Sequence, residues 1–422
     1  MIIEFSVKNY RSIKDLQTLS MVAAPIKSKY PELDANNIIP VSDKFSLLKS
    51  VAIYGANGSG KSNLVRALRT MLILINESFK NESLGIILVE PFFLNLQSFK
   101  EPTFFQLIFI CDEVRYRYGF EMLNGEIKSE WLFGTPDKKE VYFFTRADSN
   151  IQINEKQFSE GKGLLDKTSK SNLFLNITKA FNGKISNLIT NYLSKTISIS
   201  GGISDNEFRE RTKLLIKNEL LKNQIIALMN HADFGIQDIF ERSFKPEDLD
   251  ENSYTSKLKN IYGENFDSIS TKRIIYNQEG KVLFENNWTM YFNESEGTLK
   301  FFNYSGVVID ALNNGTALIL DEFDARLHPM LTKKLVEMFN SPTINRNGAQ
   351  LVFVTYDTNL LDNSLLRRDQ IYFTEKNKMQ ETVLYSLADF KGVRNDASYE
   401  KDYINGKYGA IPFLGDFEKL FQ

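Results

Sequence analysis

The spacing of hydrophobic residues predicts strands at the start of the chain and then a strand–loop–helix unit. Residues 1–24 alternate and carry β-branched and aromatic side chains, which indicates one or two strands. Residues 25–46 combine three prolines with polar neighbours, which indicates a loop. A short apolar strand, Leu47–Tyr54, then precedes a glycine-rich stretch and a helix from Ser62 to Asn76. The apolar face of that helix comprises Leu64, Ala67, Leu68, Leu72 and Ile75.

Alternating positions dominate residues 88–146 and predict an antiparallel meander. The pair Asn124-Gly125 is a strong hairpin signal between two of its strands. The predicted strands are Phe104–Ile110, Arg115–Met122, Ile127–Phe133 and Val141–Thr145.

Helical spacing takes over in the middle of the chain. Residues 172–195 and 208–232 each place apolar side chains on one stripe, which predicts two amphipathic helices. Neither sustains a heptad repeat long enough for a coiled-coil arm. Residues 243–272 are polar and charged, which predicts an exposed, mobile connector.

The last third returns to mixed strands and helices. We predict helices over 298–313 and 329–338. The predicted strands are 273–276, 282–284, 288–292, 317–320, 350–355 and 370–374. These patterns predict an α/β chain in three parts, an N-terminal lobe (1–150), a helical insertion with the connector (151–272) and a C-terminal lobe (273–422).

Composition and charge narrow the classes of function. Apolar residues make up 42% of the 422 residues, which is globular composition, and the net charge of −2 does not indicate a dedicated nucleic-acid binder. This net charge is still compatible with a local basic patch. One cysteine and two histidines exclude an internal disulfide and a histidine-rich metal site. There is no apolar run of membrane-spanning length and no signal-peptide pattern at the start, so we expect a cytoplasmic protein.

The glycine-rich stretch is a complete phosphate-binding loop, Gly55-Ala56-Asn57-Gly58-Ser59-Gly60-Lys61-Ser62. It follows a predicted strand and opens a predicted helix, so backbone N–H groups and the helix dipole can bind phosphate oxygens. Lys61 is expected to contact the β- and γ-phosphates of ATP, and Ser62 to bind Mg²⁺. The other expected nucleotide contacts are Gly55, Asn57, Gly58, Ser59, Gly60 and Asn63.

Two adjacent carboxylates, Asp321 and Glu322, follow the apolar strand Ala317–Leu320. This is the usual Mg²⁺ and water site of phosphate-loop ATPases. Asp321 is expected to hold Mg²⁺, and Glu322 to act as the general base on the attacking water. The alternative is that the acidic pair caps the following helix.

Several segments carry a resemblance to a known class. They are Val7–Ser12, Ser295-Glu296-Gly297-Thr298, Asp321–Pro329, Asp357–Leu361, Arg367–Gln370 and Tyr403–Phe413. In these the chain resembles the ABC-type ATPase heads of the SMC, RecF and OLD class, and most closely the RloA-like ATPases of bacterial phage-defence loci. The resemblance implies an ABC-type P-loop ATPase head with an antiparallel β-subdomain and a helical insertion.

The resemblance also implies that two copies of the chain pair. Ser295 and Gly297 would form the signature motif and contact the γ-phosphate held by the partner copy. The alternative for this segment is a plain helix cap. Arg11 either reaches the nucleotide or is a surface arginine, and Gln97 and Gln106 compete for the glutamine that senses Mg²⁺.

One position departs from the class pattern. Tyr356 stands after the strand Leu351–Thr355, where the class has a histidine that contacts the γ-phosphate. A phenol can donate a hydrogen bond but carries no imidazolium charge, so slower hydrolysis is expected. His328 is interpreted as structural.

The resemblance favours an ATP-driven sensor and scaffold in antiphage defence, acting with a separately encoded effector, plausibly a nuclease. Too few residues follow Thr355 for a nuclease domain, and Asp389, Asp396 and Asp402 are interpreted as surface carboxylates. The alternative is a RecF- or SMC-like ATPase that binds DNA directly in repair or maintenance.

Overall fold

The computed structural model describes residues 1–42, 45–200, 206–244 and 266–420. They divide into two compact units, one of Met1–Gly202, Ala311–Phe323 and Lys333–Gln422, the other of Ile203–Asp310 and Asp324–Thr332. The helices are α1 (Pro31–Asn36), α2 (Lys61–Glu77), α3 (Leu84–Leu88), α4 (Phe174–Ala180), α5 (Lys184–Thr196), α6 (Asn206–Leu215), α7 (Glu219–His231), α8 (Met290–Asn293), α9 (Glu296–Asn314), α10 (Pro329–Asn340) and α11 (Tyr399–Ile404).

A six-stranded sheet in the first unit carries the phosphate loop. Its order is β11-β15-β16-β5-β17-β18, parallel except for the last strand. Its strands are β5 (Ser50–Gly55), β11 (Ile197–Ser200), β15 (Ala317–Leu320), β16 (Gln350–Val354), β17 (Ile371–Lys376) and β18 (Thr382–Ser386). Every residue of β5, β15 and β16 is buried, as expected for central strands of a sheet that is covered on both faces.

A seven-stranded antiparallel sheet forms the β-subdomain of the same unit, in the order β10-β9-β8-β7-β6-β1-β2. Its strands are β1 (Ile2–Lys8), β2 (Gln17–Ser20), β6 (Thr103–Cys111), β7 (Val114–Leu123), β8 (Glu126–Thr135), β9 (Val141–Ala147) and β10 (Asn150–Ile153). The predicted meander is therefore confirmed, and Asn124 and Gly125 both have the positive φ that the hairpin turn requires.

Helix α2 joins the two sheets into one core. Its buried residues Leu64, Leu68 and Met71 belong to the same apolar cluster as Phe5 of β1 and Ile53 of β5. Burying each such side chain contributes about 1.5–3 kcal/mol. The helix that begins at the phosphate loop is thus held by the core of the whole unit.

The second unit contains the remaining sheet, an antiparallel meander in the order β12-β13-β14. Its strands are β12 (Asp238–Phe244), β13 (Phe266–Tyr276) and β14 (Val282–Thr289), and a separate hairpin in the first unit pairs β3 (Ile38–Ser42) with β4 (Phe45–Leu48). Helices α6, α7 and α8 and the first part of α9 belong to the second unit.

Both long helices predicted in the middle of the chain are wrong in length, because each is two helices. Asn182 adopts a positive φ and ends the first, and α5 restarts where Glu160 accepts hydrogen bonds from the N–H groups of Ile185 and Ser186, both at 2.9 Å. Asn218 separates α6 from α7 by accepting from the N–H groups of Leu220 and Leu221. Apolar spacing alone does not reveal these caps, since Glu160 is distant in sequence.

The predicted connector 243–272 is wrong at both described ends, because 243–244 complete β12 and 266–272 open β13. Residues 245–265 of it lie outside the described residues. The predicted loop 25–46 contains α1, β3 and the start of β4, and the segment 288–292 ends β14 and begins α8. Cross-strand pairing, which local polarity does not show, decides these segments.

The predicted fold class is confirmed: a parallel sheet with a phosphate loop stands beside an antiparallel subdomain, as in ABC-type ATPases. The three-part division at 150 and 272 stays a prediction, and the two compact units cut the chain elsewhere. No helix within the described ranges is long and apolar enough to cross a membrane.

Candidate nucleotide site

The phosphate loop lies where the geometry of β5 and α2 predicts. β5 ends at Gly55 and α2 begins at Lys61, so the loop opens a helix of 17 residues. Gly60 has φ +108°, and a Cβ there would lie 2.0 Å from Oγ1 of Thr382. Only glycine meets both conditions. The helix N-terminus and the loop N–H groups together form an anion-binding end.

Hydroxyl groups from other elements hold the loop in place. Oγ of Ser59 and Oγ1 of Thr374 on β17 are 2.6 Å apart. Oγ1 of Thr382 on β18 donates to the Ser59 carbonyl at 2.9 Å, and it lies 2.8 Å from Oγ of Ser12. Asn63 donates to the same Ser12 oxygen at 2.7 Å. None of Ser12, Thr374 and Thr382 was predicted as a site residue: the two threonines belong to no motif, and Ser12 entered only as the end of the segment Val7–Ser12.

Lys61 is turned back onto its own loop. Its Nζ donates to the carbonyl oxygens of Gly55, at 2.7 Å, and Ala56, at 3.0 Å. The same Nζ lies 4.1 Å from the centre of the Tyr356 ring, which is a cation–π contact. The side chain is 3% exposed. The structure therefore brings together Tyr356 and Lys61, two of the predicted site residues.

Parallel strands bring the acidic pair to the same edge. β15 pairs with β16, and β16 pairs with β5, all in parallel. The carboxyl ends of these three strands lead to Asp321, Tyr356 and the phosphate loop, respectively. In open α/β sheets ligands bind at this edge. The residues predicted from distant motifs thus meet at one place.

Asp321 is buried and receives a hydrogen bond from the Ser62 side chain. Burial raises the pKa of the Asp321 carboxyl, the bond from Ser62 lowers it, and the neighbouring Glu322 raises it again. A hydroxyl and a carboxylate already in contact are the oxygen ligands that Mg²⁺ prefers, and a bound cation would favour the ionised carboxylate. Ser62 and Asp321 therefore fit the expected metal.

Glu322 has backbone geometry that sets it apart from the strand. Its φ is +51°, and its N–H donates to Oδ1 of Asp321 at 3.1 Å. A non-glycine residue in the left-handed region is strained and often marks a functional site. The side chain is half-buried.

Arg11 lies in a turn that touches the loop through its neighbour Ser12. Its φ is +51°, its N–H donates to the Glu90 carbonyl and its guanidinium donates to Glu90 Oε1, both at 2.8 Å. This ion pair is partly exposed, and contact of Arg11 with the nucleotide stays a prediction. Gln97 is exposed, whereas Gln106 accepts from Nε1 of Trp131 at 3.2 Å.

The predicted signature lies in the second unit, at the start of α9. Oγ of Ser295 accepts from the N–H of Thr298 at 3.1 Å, and its carbonyl accepts from Leu299. A Cβ at Gly297 would lie 2.9 Å from the carbonyl oxygen of Arg326. Ser295 is therefore a helix cap, and its exposed position also leaves it accessible to a ligand.

His328 caps α10. Its Nδ1 accepts from the N–H of Met330 at 3.2 Å, and its carbonyl accepts from Leu331. This contact supports the interpretation of His328 as a structural residue.

The C-terminal motifs serve the parallel sheet. Tyr403 and Tyr408 stack on Phe373 of β17, with ring centroids 5.3 and 5.7 Å away. Tyr54, directly before the phosphate loop, meets Tyr403 edge to face. Gln370 donates to the carbonyl and the hydroxyl of Ser50. These motifs therefore stabilise β5 and its neighbour β17, which lead to the nucleotide site.

Comparison with known proteins identifies the family. Residues 50–362 match the family model described as "AAA domain, putative AbiEii toxin, Type IV TA system". No curated protein matches the sequence. Among solved structures, the SMC head domain from Thermotoga maritima is 11% identical with a TM-score of 0.39, and the alignment covers 91% of this chain and 98% of that one. The RloA-like subgroup stays a prediction. Since the family model spans most of the sequence, the chain belongs to the AAA family of that description and has the fold of a nucleotide-binding ATPase.

Proposed function

We propose that the chain binds ATP with Mg²⁺ and hydrolyses it. The observation that carries this is the meeting of Lys61, Ser62, Asp321 and Tyr356 at one edge of the parallel sheet. The loop N–H groups bind the phosphates, and Lys61 leaves its carbonyl partners for the phosphate oxygens. Ser62 and Asp321 would hold Mg²⁺, which would supply positive charge beside the phosphates, and Glu322 would orient and deprotonate the attacking water.

The nucleotide also links two copies of the chain in this proposal. The helix cap at Ser295 and Gly297 presents a hydroxyl and N–H groups at the N-terminus of a 19-residue helix, which is a second anion-binding end. In the first unit the phosphate loop presents the other. The γ-phosphate of ATP bound to one copy then contacts the signature of the partner copy. Hydrolysis removes this contact, and the two copies separate.

At the level of the cell, we propose a sensor and scaffold in bacterial antiphage defence that acts with a separate effector. The resemblance of the terminal motifs supports this role. The nuclease is assigned to the effector, because Asp389 caps a turn at Ser386, Asp396 pairs with Arg394 and Asp402 pairs with Lys407.

The substitution Glu322→Gln tests the mechanism. The amide keeps the shape of the side chain but cannot accept the proton, so ATP binding persists and hydrolysis falls by about 10²-fold or more. Because bound ATP is not hydrolysed, the ATP-linked pair of copies should accumulate. Both effects are measured by phosphate release and by solution mass with ATP and Mg²⁺.

The matched control is Glu337→Gln on α10, whose carboxylate pairs with Lys334 at the surface. It should hydrolyse ATP at the wild-type rate. Wild-type hydrolysis by Glu322→Gln would refute the catalytic assignment. If DNA binds in a salt-dependent manner and stimulates hydrolysis, the role in DNA maintenance replaces the role in defence.

A further inference from the structure

Within the described part of the chain, the outer strand of the three-stranded sheet is unpaired along one edge. β14 pairs with β13 on one side, and among the described residues no strand pairs with its other side. The six residues from Val282 to Asn287 are all exposed, so this part of the strand is covered on neither face. Val282, Leu283 and Phe284 are 61%, 57% and 57% exposed. An edge of this kind offers unpaired N–H and C=O groups beside apolar side chains.

Proteins usually protect such edges with lysine, proline or inward charges. Between Val282 and Thr289 there is neither lysine nor proline. The one charged residue, Glu285, is already neutralised by Lys272 of β13 at 3.0 Å. Strand-forming side chains and an unprotected edge are typical of a surface that accepts another strand.

We propose that β14 pairs antiparallel with β14 of a second copy of this chain, with the two-fold axis at Asn286. The strand is complementary to itself about this residue, because Phe284 and Trp288 stand two positions on either side of it. Each Phe284 then lies opposite the Trp288 of the partner strand, on one face of the joined sheet.

Charge disfavours the neighbouring register centred on Glu285. An axis at Glu285 would place two carboxylates opposite each other, which destabilises a strand pair. With the axis at Asn286, Glu285 lies opposite Asn287, and two amides that can hydrogen-bond to each other meet at the centre. An interface of one patch with itself closes as a dimer. It joins two three-stranded sheets into one of six strands.

This contact goes beyond the ATP-dependent pairing proposed above, and it needs no nucleotide. The two surfaces are separate in sequence, since β14 ends before the signature begins. A copy that uses both contacts can join two neighbours at once. The chain could therefore assemble beyond a dimer when ATP is bound.

A cysteine at the proposed axis tests the register directly. Residues directly opposite in an antiparallel pair have Cα atoms about 4.5–5.5 Å apart, within the range that a disulfide spans. The full-length Asn286→Cys variant should form a covalent dimer under mild oxidation without nucleotide, and ATP should not change the yield. The native Cys111 is buried, so it does not compete.

The control is Glu279→Cys, an exposed position in the turn before β14 that lies off the proposed axis. Its cross-linking measures random collision. Cross-linking of Asn286→Cys no faster than this control overturns the proposal. This outcome is separable from failure of the proposed function, because the latter is measured by ATP hydrolysis and by the ATP-dependent mass.

Solution mass without nucleotide gives a second, independent measurement. Phe284→Lys adds a charge to the edge and should shift the protein from dimer towards monomer, by about 10-fold or more in dissociation constant. Leu220→Lys on α7, where the leucine is 78% exposed, should leave the mass unchanged. Leu283→Lys serves if the first variant does not fold, as judged by circular dichroism. A wild-type protein that is monomeric throughout contradicts the proposal.

Discussion

Tyr356 is the residue at which the chain departs from its class and at which the structure adds most. Its ring covers Nζ of Lys61, while the same Nζ is held by two loop carbonyls. In the proposed function, Tyr356 thus contacts the lysine that would bind phosphate, where the class histidine would contact the γ-phosphate. If Lys61 exchanges these partners for phosphate oxygens, as the proposed function requires, Tyr356 competes with the nucleotide for the lysine.

Removing the ring should strengthen nucleotide binding. A partly exposed cation–π contact is worth about 0.5–1 kcal/mol, so we expect Tyr356→Ala to bind ADP about 2- to 5-fold more tightly than the wild type. ADP is the suitable ligand because it has no γ-phosphate for the phenol to contact. The measurement is isothermal titration calorimetry with Mg²⁺.

Tyr356→Phe is the matched control, since it keeps the ring and loses only the hydroxyl. Its ADP affinity should equal that of the wild type. If its ATP hydrolysis falls while ADP binding is unchanged, the phenol also contacts the γ-phosphate. ADP binding by Tyr356→Ala that is no tighter than wild type would show that the ring does not hold the lysine back.

At the scale of elements, helix ends explain both the errors of the sequence-based prediction and the chemistry of the site. Glu160 and Asn218 begin helices that the apolar stripe alone would run together. Ser295 begins α9 in the same way, but there the cap coincides with the proposed signature. Its hydroxyl caps the helix and would also serve the proposed signature, since both roles use the same helix end.

Ser295→Arg separates the two roles. We expect hydrolysis to be lost, because a bulky side chain at the helix N-terminus blocks approach of the partner's γ-phosphate, while nucleotide binding by the first unit remains. Steady-state phosphate release and ADP affinity measure the two quantities.

Ser398→Arg is the control, because Ser398 is also an exposed serine that caps a helix, accepting from the N–H of Lys401. Both variants lose a cap worth about 0.5–2 kcal/mol, so both should be slightly destabilised. Only Ser295→Arg should lose hydrolysis. Full turnover in that variant would refute a role of the signature in a composite site.

At the scale of the molecule, contacts between distant parts of the chain hold the parallel sheet together. Arg367 is 3% exposed and bridges Asp369 beside it and Asp34 near the start, at 2.8 and 2.6 Å. It also donates to the carbonyl of Ala24. The motif that contains Arg367 is part of the family resemblance, and in the structure this arginine anchors the segment between β2 and β3.

Arg367→Ala should destabilise the protein strongly. It leaves the buried carboxylate of Asp369 without its cation, and breaking a buried pair costs about 3–5 kcal/mol. Urea unfolding of the full-length protein measures the change in the free energy of unfolding. Arg368→Ala is the control, because that neighbour donates to one carbonyl, of Val393, and should cost about 1 kcal/mol. Equal destabilisation by the two variants would contradict the anchoring role.

The sequence by itself determined the phosphate loop, the acidic pair, the meander and the fold class, because each depends on local spacing or on a motif with its own mechanism. Tertiary structure alone decided what surrounds them. The hydroxyls of Ser12, Thr374 and Thr382 reach the loop through strands that are distant in sequence. The lysine–tyrosine contact arises because β5 and β16 are neighbours in the sheet. Residues 266–272 form a strand, and β14 has an edge, because β13 pairs with both of its neighbours in the sheet. Such pairing depends on residues distant in sequence, so the local sequence does not predict it.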